Sequence, residues 1–597
     1  MSRLAAESPE PGVFQNIESN TAEIAGQRPA ARPTSARFEQ RLAIVVLVLT
    51  AVLYFARLGA RALWASEFRW GEIAREMLLT HHYFWPTING RVYFDKPLGS
   101  YWLVVASTWF TGHMNEAAAR IPSAAAGLVA VALIILLGRR LYDLRTGVIA
   151  GFILATSFSF AFWARTASAD VETVAGELAA LLIFVNNQDQ PGRWVIWMWL
   201  VMALTSLMKG LLGFVLPLLV IGAYSCLADG WPELVANLLH GSIRSRLDWL
   251  IERNRWFFNH RTIIAVILAG GIYFLPFAIS YANSGSTNGM YMVYRENVER
   301  YFAPFDHRGP IYLYVFVIFE LMAPWSVFLP AALVQTHTGR PAPSSTRSDR
   351  FVTTFFWTIF IFFTLSGSRR SYYLLPILPA AAILVARIFL EKQLREASRL
   401  LTKIGFGIVV SALILALALL LPPHLVLPHP YSLLPGLPHP AVFIVCWVIA
   451  IVAAVYTCLR YHPRTVLISM CIGAYLLLGY LFIFALPTGD RWRGERHFAE
   501  ATRDLIDGHQ NELASFKTEP PVFYLGYTQV VPEYDTLADL NTAVRSGRTK
   551  WIIVRQRDVT TLDFPAERLN EEPGYPWDSP AHRNNLLILM EVKRQPL

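Results

Sequence analysis

Long apolar runs separated by short polar corners recur from about residue 42 to residue 486, beginning with "LAIVVLVLTAVLYFARL" at 42–58. Each is near the length at which a helix crosses the ~30 Å hydrocarbon layer of a bilayer. Within lipid every backbone N–H and C=O must be satisfied inside the segment or a closed barrel, and runs of this length select the helix. Composition agrees: 54% of the 597 residues are hydrophobic and 16% charged, more apolar surface than a soluble core of this length needs. An all-α polytopic membrane protein is therefore expected. The spans fall at 42–58, 119–137, 147–164, 171–186, 194–208, 210–228, 262–282, 311–335, 351–366, 371–390, 403–422, 440–458 and 466–486, about thirteen transmembrane helices. Cys226, Cys446, Cys458 and Cys471 lie in or at the ends of these runs without CxxC spacing, as small packing residues do.

Residues 1–40 carry Pro, Ser, Glu and Arg without hydrophobic periodicity and read as a disordered cytoplasmic tail. They lack the order of a cleaved signal peptide, so the first run is expected to remain as an anchor. One further run, 98–112 ("LGSYWLVVASTWFTG"), is decided by the positive-inside rule. If it does not cross, the basic segments "GRRLYDLR" (138–145), 244–261, 340–350, 391–403 and 460–464 all share the cytoplasmic side with the tail. If it crosses, most of them flip outward. It is thus expected to lie at the outer interface, with Tyr101, Trp102 and Trp109 at headgroup level. An odd number of crossings then places 488–597 on the non-cytoplasmic face. There "HFAEATRDLIDGHQ" reads as helix and "PPVFYLGY", "WIIVRQ" and "LLILMEV" as strands, a small C-terminal α/β domain.

The unusual polar residues collect on the outer side, while the middles of the spans carry few ionisable groups. In the loop 59–118, "SEFRWGEIAREM" places Trp70, Ile73, Ala74, Met77 and Leu78 on one stripe, an amphipathic helix with Ser66 as its N-cap and Glu67 in its first turn. In "TINGRVYFDKPLGSYW" (87–102), "NG" marks a tight turn and Pro97 opens the interfacial helix, so Lys96 either snorkels or forms an anion site beside exposed N–H groups. Asp170 and Glu172, after Arg165, enter a span where capping is the structural alternative. "FAPFDHRGPIY" (302–312) supplies Asp306, His307 and Arg308; an interfacial anchor explains Arg308 equally well. In "SGSRRSYYLLP" (366–376) the adjacent Arg369 and Arg370, with Tyr372 and Tyr373, stand where positive charge is usually avoided and call for an anionic partner such as phosphate.

Taken in order, "SEFRWGEIAREM", "NGRVYFDKPLGSYW", "RTASAD", "KGLLGFVLP", "HRGP" with "APWS", and "SRRSYYLLP" resemble the motifs of the GT-C membrane glycosyltransferases of the protein O-mannosyltransferase and aminoarabinose transferase type, families 39 and 83. The resemblance covers most of 42–390. It implies a GT-C transmembrane domain (41–487) with juxtamembrane helices in the first outer loop, followed by an extracytoplasmic domain (488–597), in a plasma (inner) membrane. It implies transfer of a sugar, with inversion, from a polyprenyl (undecaprenyl-type) phosphate donor to a lipid A-like, glycolipid, polysaccharide or protein acceptor on the outer face. Arg69, Lys96, Arg369 and Arg370, with Tyr372 and Tyr373, would then hold the donor phosphate, and Lys209 of the "KG" corner belongs to the same set of site candidates.

Where most of that family has "DE", this chain has Ser66 and Glu67. Serine is no base at neutral pH, so Glu67 with Asp170 is expected to orient and deprotonate the acceptor, a contribution of order 10² to 10⁴ in rate. Trp70 and Ser66 are further site candidates, and the resemblance suggests a divalent metal shared by Asp95 and His307. Expected partners are the lipid-phosphate-linked sugar, a lipid or glycan acceptor and membrane lipids. The net charge of +9 resides mostly in cytoplasmic arginines and argues for anionic lipid, not nucleic acid. The alternatives are a catalytically inactive relative that binds polyprenyl phosphate, favoured by Ser66, and a secondary transporter, disfavoured because the chemistry-bearing residues sit at one face and not at midplane.

Overall fold

All of the apolar runs are helical in the computed structural model, which describes residues 33–64, 66–189, 192–227, 234–235, 242–304, 306–338, 346–391, 393–419, 440–459, 462–490, 494–574 and 578–593. Among the described residues, Arg37–Phe55, Glu116–Leu141, His260–Ser284, Ser371–Leu390, Glu396–Leu415 and Pro463–Thr488 are each long and apolar enough to cross a membrane unaided. The shorter apolar helices Leu144–Ala155, Trp194–Lys209, Leu212–Leu227 and Ala441–Thr457 carry other runs. The run 311–335, expected as one span, is two helices, Leu313–Leu321 and Trp325–His337, bent by 118°. Pro324 between them has no N–H to continue the ladder. Tertiary contacts hold the break: Phe158 N–H donates to the Ala323 carbonyl (2.8 Å), and the buried Trp325 indole donates to Thr156 (2.9 Å).

Of the expected tail, 1–32 lies outside the described residues, as do 340–345 and 460–461 of the expected basic loops. From Pro33 the chain is already helical, two turns before the expected boundary. The early start has a partner, since Glu39 accepts from Arg145 at 2.5 Å.

Side-chain contacts sort the corners of the bundle into two ends. At one end Arg145 meets Glu39, Arg347 meets Asp189 (2.8 Å), Tyr142 donates to Asp349 (2.8 Å), and Arg387 pairs with the same Asp349. At the other end, Arg120 at the start of Glu116–Leu141 donates to the carbonyls of Leu58 (3.0 Å), Arg61 (2.8 Å) and Ala62 (2.8 Å), just after the first helix. The chain between residues 58 and 120 therefore leaves and re-enters the bundle at one end. Its helix Leu98–Thr111 has 14 residues, about 21 Å long and short of the ~30 Å needed to cross. Its tip leaves Trp109 and Phe110 exposed at 87% and 83%, as an interfacial helix does.

The stripe expected on Glu67–Thr80 is buried at Trp70, Ile73, Ala74 and Met77. It packs against protein: this helix, Leu98–Thr111 and the C-terminal segment share one apolar core containing Leu513, Val522, Leu525, Ile553 and Leu589. That segment carries the helix Gly494–Leu505 and a five-stranded sheet. Numbering the strands of the Asn89 hairpin, Thr87–Ile88 and Arg91–Val92, as β1 and β2, the sheet strands are β3 (Leu513–Phe516), β4 (Glu533–Tyr534), β5 (Trp551–Arg555), β6 (Ala566–Glu571) and β7 (Leu587–Val592). Their order is β4-β3-β5-β7-β6, with β3 parallel to β4 and β5 and the β5-β7 and β7-β6 pairs antiparallel. "WIIVRQ" and "LLILMEV" are strands as expected. "PPVFYLGY" instead forms the short helix Val522–Leu525, closed by Gly526. Pro520 and Pro521 lack ladder donors, and proline suits the entry to a helix.

The hairpin turn at Asn89-Gly90 ties this segment down. Both residues have positive φ (51° and 72°), as the "NG" signal predicts. Asn89, buried, donates to the Val531 carbonyl (2.8 Å) and to Glu533, and accepts the Val531 N–H (2.9 Å). Leu63 N–H donates to the Tyr524 hydroxyl, and Arg496 pairs with Glu116 (3.0 Å). Asn89→Ala strands the Val531 backbone groups and is expected to cost about 1–3 kcal/mol. A lower melting temperature and faster proteolysis within 494–593 would register it; unchanged protection would show that the hairpin does not anchor the sheet.

Candidate active site

Glu67, expected as the base, is fully buried at the start of its helix. Arg120 grips it in a fork, Nε to Oε1 and Nη2 to Oε2, both 2.7 Å. Ala167 N–H donates to Oε1 (2.8 Å) and Trp64 N–H to Oε2 (3.2 Å). Each carboxylate oxygen already accepts two hydrogen bonds, so none faces a substrate. We revise its role accordingly: Glu67 neutralises a buried arginine and joins 58–67, 116–123 and 165–170 into one knot.

A second, more open set of groups lies at the same end of the bundle. Asp95 accepts from Arg69 (3.4 Å) and Lys96 (3.1 Å); Lys96 also meets Glu296 (3.1 Å), and Glu296 meets Arg300 (3.0 Å). Arg300 continues to Asp306 (3.1 Å) and to the Tyr373 hydroxyl (3.4 Å). Asp306 contacts His307 (3.1 Å), which contacts Arg370. Arg370 lies 5.8 Å from the Tyr372 ring centre, and Lys209 lies 5.6 and 5.2 Å from those of Tyr372 and Tyr373 while pairing with Asp170. Lys96, Arg370, Tyr372, Tyr373, Lys209 and Asp170 are thus linked by contacts although hundreds of positions separate them. Glu67 is outside that chain.

Local structure explains the convergence. Lys96 precedes Pro97, the N-cap of Leu98–Thr111. At the "KG" corner Gly210 has φ +98°, and a Cβ there would stand 2.6 Å from Asn297 Oδ1. That oxygen accepts the Leu211 N–H (2.8 Å), so the close approach of a bare glycine docks the π-helical turn Arg295–Glu299 against the end of the Lys209 helix. Glu296 and Arg300 are thereby carried towards Lys96 and Tyr373.

The other expected site residues divide. Arg69 keeps 45% of its side chain exposed and stacks over Tyr93 (5.4 Å). Arg369, expected to grip phosphate, turns instead to the carbonyls of Gly309 (2.5 Å) and Thr364 (3.0 Å), which fastens one loop to the next. Arg308 is exposed and donates to the Pro304 carbonyl (3.1 Å), within reach of water rather than of the charged chain. Trp70 is buried against Tyr101 (6.0 Å) as core. Ser66 precedes the helix but makes no side-chain capping bond.

A metal does not fit Asp95 and His307. The Asp95 oxygens face Lys96 and Arg69, and the His307 nitrogens face Arg370 and Asp306. Among the described residues no three His, Cys, Asp or Glu side chains are grouped to hold an ion. Burial pushes the Asp95 carboxyl up, but Lys96, Arg69 and Arg300 outweigh it and hold it below its usual value. Burial and then Arg370 hold the His307 imidazole below its ordinary value against the pull of Asp306.

Three participants were missed from sequence: Arg120, Glu296 and Arg300. An arginine inside an apolar span, "AAARIPSAAAG", was itself the signal for the first, since such a charge requires a buried partner. The dense charge of "RENVER" (295–300) on an outer loop was the signal for the other two.

Arg120→Met leaves Glu67 buried without its counter-ion and is expected to destabilise the fold by about 3–5 kcal/mol, while Glu67→Leu with Arg120→Met recovers part of the loss. Melting of the purified variants checks this, and equal melting of the single variant and wild type would refute it. For His307 a lowered folded pKa means stability that is present above the ordinary value, about 6.5, and lost as pH falls through the folded one. The wild-type melting temperature should therefore fall more steeply below about pH 6.5 than that of His307→Gln; parallel profiles would exclude the titration.

Known proteins resemble the chain in sequence and in shape. Residues 95–242 match the family described as Dolichyl-phosphate-mannose-protein mannosyltransferase. An undecaprenyl phosphate-alpha-4-amino-4-deoxy-L-arabinose arabinosyl transferase of Pseudomonas fluorescens is 27% identical over 385 residues, 63% of this chain; the chain spans 64% of that relative's length. A second such transferase from the same organism is 25% identical over 598 residues, 93% of this chain and 94% of the relative. The crystal structure of ArnT from Cupriavidus metallidurans bound to undecaprenyl phosphate superposes with a TM-score of 0.68 at 18% identity, over 92% of this chain and 97% of that one. These findings support the resemblance read from the motifs, and in architecture the chain has a GT-C fold of the ArnT type.

Proposed function

We propose that this chain is an inverting membrane glycosyltransferase that takes a sugar from a polyprenyl phosphate and passes it to an acceptor hydroxyl or phosphate on the non-cytoplasmic side. The observation that carries the reading is the contact chain from Lys96 through Arg300 and Arg370 to the Lys209–Asp170 pair, at one end of an apolar helix bundle. Five cations (Arg69, Lys96, Arg300, Arg370, Lys209) stand there against four carboxylates (Asp95, Glu296, Asp306, Asp170), a balance suited to an anionic substrate. The names of the relatives and of the matching family support a lipid-phosphate-linked sugar as donor. The full set of about thirteen crossings, with the tail cytoplasmic and the sheet extracytoplasmic, belongs to the same proposal. It is supported by the arginines that cluster at the end opposite the site.

In this scheme Lys96, Arg300 and Arg370 hold the donor phosphate, and their charge is worth most as the glycosidic C–O bond breaks and negative charge grows on the leaving phosphate. Asp170, kept beside Lys209, accepts the acceptor's proton as its oxygen bonds the anomeric carbon from the opposite face. Tyr372 and Tyr373 line the way between them. The isoprenoid lies among the helices, which is why the site belongs in a membrane.

A second reading, a binding protein without turnover, is favoured by one observation: Ser66 stands where the resembling family carries an aspartate, and Glu67 beside it is committed to Arg120. Reconstituted protein supplied with a polyprenyl-phosphate sugar and envelope glycolipid acceptors separates the two. Turnover supports the transferase, and donor binding without product supports the binder. Asp170→Asn is expected to lower kcat by about 10² to 10⁴ while keeping donor affinity. Lys96→Ala should weaken donor binding about tenfold to a hundredfold, the loss of one charge-assisted contact. Full turnover in the first variant, or unchanged donor affinity in the second, would overturn these assignments.

A further inference from the structure

A pocket of about 250 Å³ lies apart from the charged chain just described, where the first helix, the corner before Asp170 and the last membrane helix end together. Three arginines line it, Arg57, Arg61 and Arg165, with Leu58, Phe162 and Phe482 among its apolar walls. Arg165 is buried and donates only to backbone carbonyls: Leu53 (2.6 Å), Tyr54 (2.9 Å), Ala56 (2.8 Å) and Phe482 (3.4 Å). Arg57 is exposed and donates to the Ile483 carbonyl (3.0 Å). Arg61 lies over the Phe162 ring (5.9 Å) and Arg165 over that of Phe482 (5.7 Å). Asp490, which ends the last helix, gives Oδ2 to the Ala62 N–H (2.8 Å), and its Oδ1 accepts no hydrogen bond.

The carbonyls at the end of the first helix carry roughly half a negative charge between them, which offsets one guanidinium in part and three not at all. Burial, then Arg61 and Arg120, push the Arg165 guanidinium down to about 10, as expected of a cation facing other cations. A guanidinium has five N–H donors, and Arg57 spends one on Ile483. Arg57 also holds φ +53°, a left-handed conformation rare outside glycine and asparagine, at the turn that brings it and Arg61 to one pocket. The site therefore has charge, unused donors and a built shape. Its walls decide the source of the anion: two aromatic rings and a leucine at the ends of membrane helices suit a ligand whose polar head continues into an apolar chain.

We infer that Arg57, Arg61 and Arg165 form a binding site for a lipid-borne phosphate, separate from the Lys96, Arg300 and Arg370 set. The phosphate oxygens would accept from Arg57 and Arg61, and the acyl chains would run down beside Phe162 and Phe482. The corner 165–169 joins this pocket to Asp170, so a lipid seated there would brace the loop that holds the proposed base. The binding inference itself does not depend on glycosyl transfer.

The test uses the full chain in detergent. Native mass spectrometry would compare retained phosphatidylglycerol with phosphatidylcholine, and a melting assay would add millimolar inorganic phosphate in place of lipid. Wild type should prefer phosphatidylglycerol. Arg57→Gln should reduce that preference about fivefold, Arg57→Lys should largely keep it, and Lys96→Ala should leave it intact. In wild-type protein, which requires no variant to fold, a photoreactive phosphatidylglycerol should label peptides containing 57–61 or 482–486. Equal preference in Arg57→Gln and wild type, or labelling confined to other segments, would overturn the site. Stabilisation by inorganic phosphate equal to that by the lipid would overturn its lipid source.

Discussion

The buried pair of Glu67 and Arg120 is the contact on which the arrangement of this end of the molecule depends. An ionised side chain enclosed in protein at the edge of a membrane is tolerable only with its counter-charge and hydrogen bonds in place. Arg120 meets that demand with Glu67 and the carbonyls of Leu58, Arg61 and Ala62, and Glu67 in turn takes the Ala167 and Trp64 N–H groups. Three stretches far apart in sequence have no freedom to separate once these bonds form. The corner that delivers Asp170 and the loop that delivers Lys96 are both attached to that knot.

From it the rest of the outer end follows as a division of labour between apolar and charged surfaces. The amphipathic helix after Glu67 turns its stripe into a core shared with the C-terminal sheet, and the Asn89 turn plugs into the same sheet at Val531. The opposite side of the loop carries Asp95 and Lys96, which are left to meet Glu296 and Arg300. In the charged chain each carboxylate lies between two cations or beside one, so the cations stay close together without collapsing onto a single partner. An incoming phosphate would exchange with carboxylates already positioned, with little rearrangement of the cations.

Much of the scaffold was legible because it obeys local rules. Apolar runs of bilayer length became helices, "NG" became a turn with two positive φ values, and 98–112 proved too short to cross. The charged residues were legible as a set but less so as individuals. Arg369 and Arg370 are adjacent and chemically identical, yet one caps loop carbonyls and the other faces His307, because neighbouring side chains leave an extended segment on opposite sides. Glu67 carried the chemistry a base requires, but Arg120, 53 residues on, claims both of its oxygens. The strand expected at "PPVFYLGY" failed on the two prolines that open it.

Sequence alone determined that this chain enters a membrane as helices, that its chemistry gathers at one end, and that a small mixed segment follows the last span. Those properties depend on hydropathy, length and charge summed over many residues, and no single contact can reverse them. Tertiary structure alone decided which carboxylate is committed to the scaffold and which remains near the cations. It also decided that the run at 311–335 bends at Pro324 and that three arginines share one pocket. Each of these depends on the few ångströms between side chains brought together by folding, a quantity that spacing along the chain does not contain.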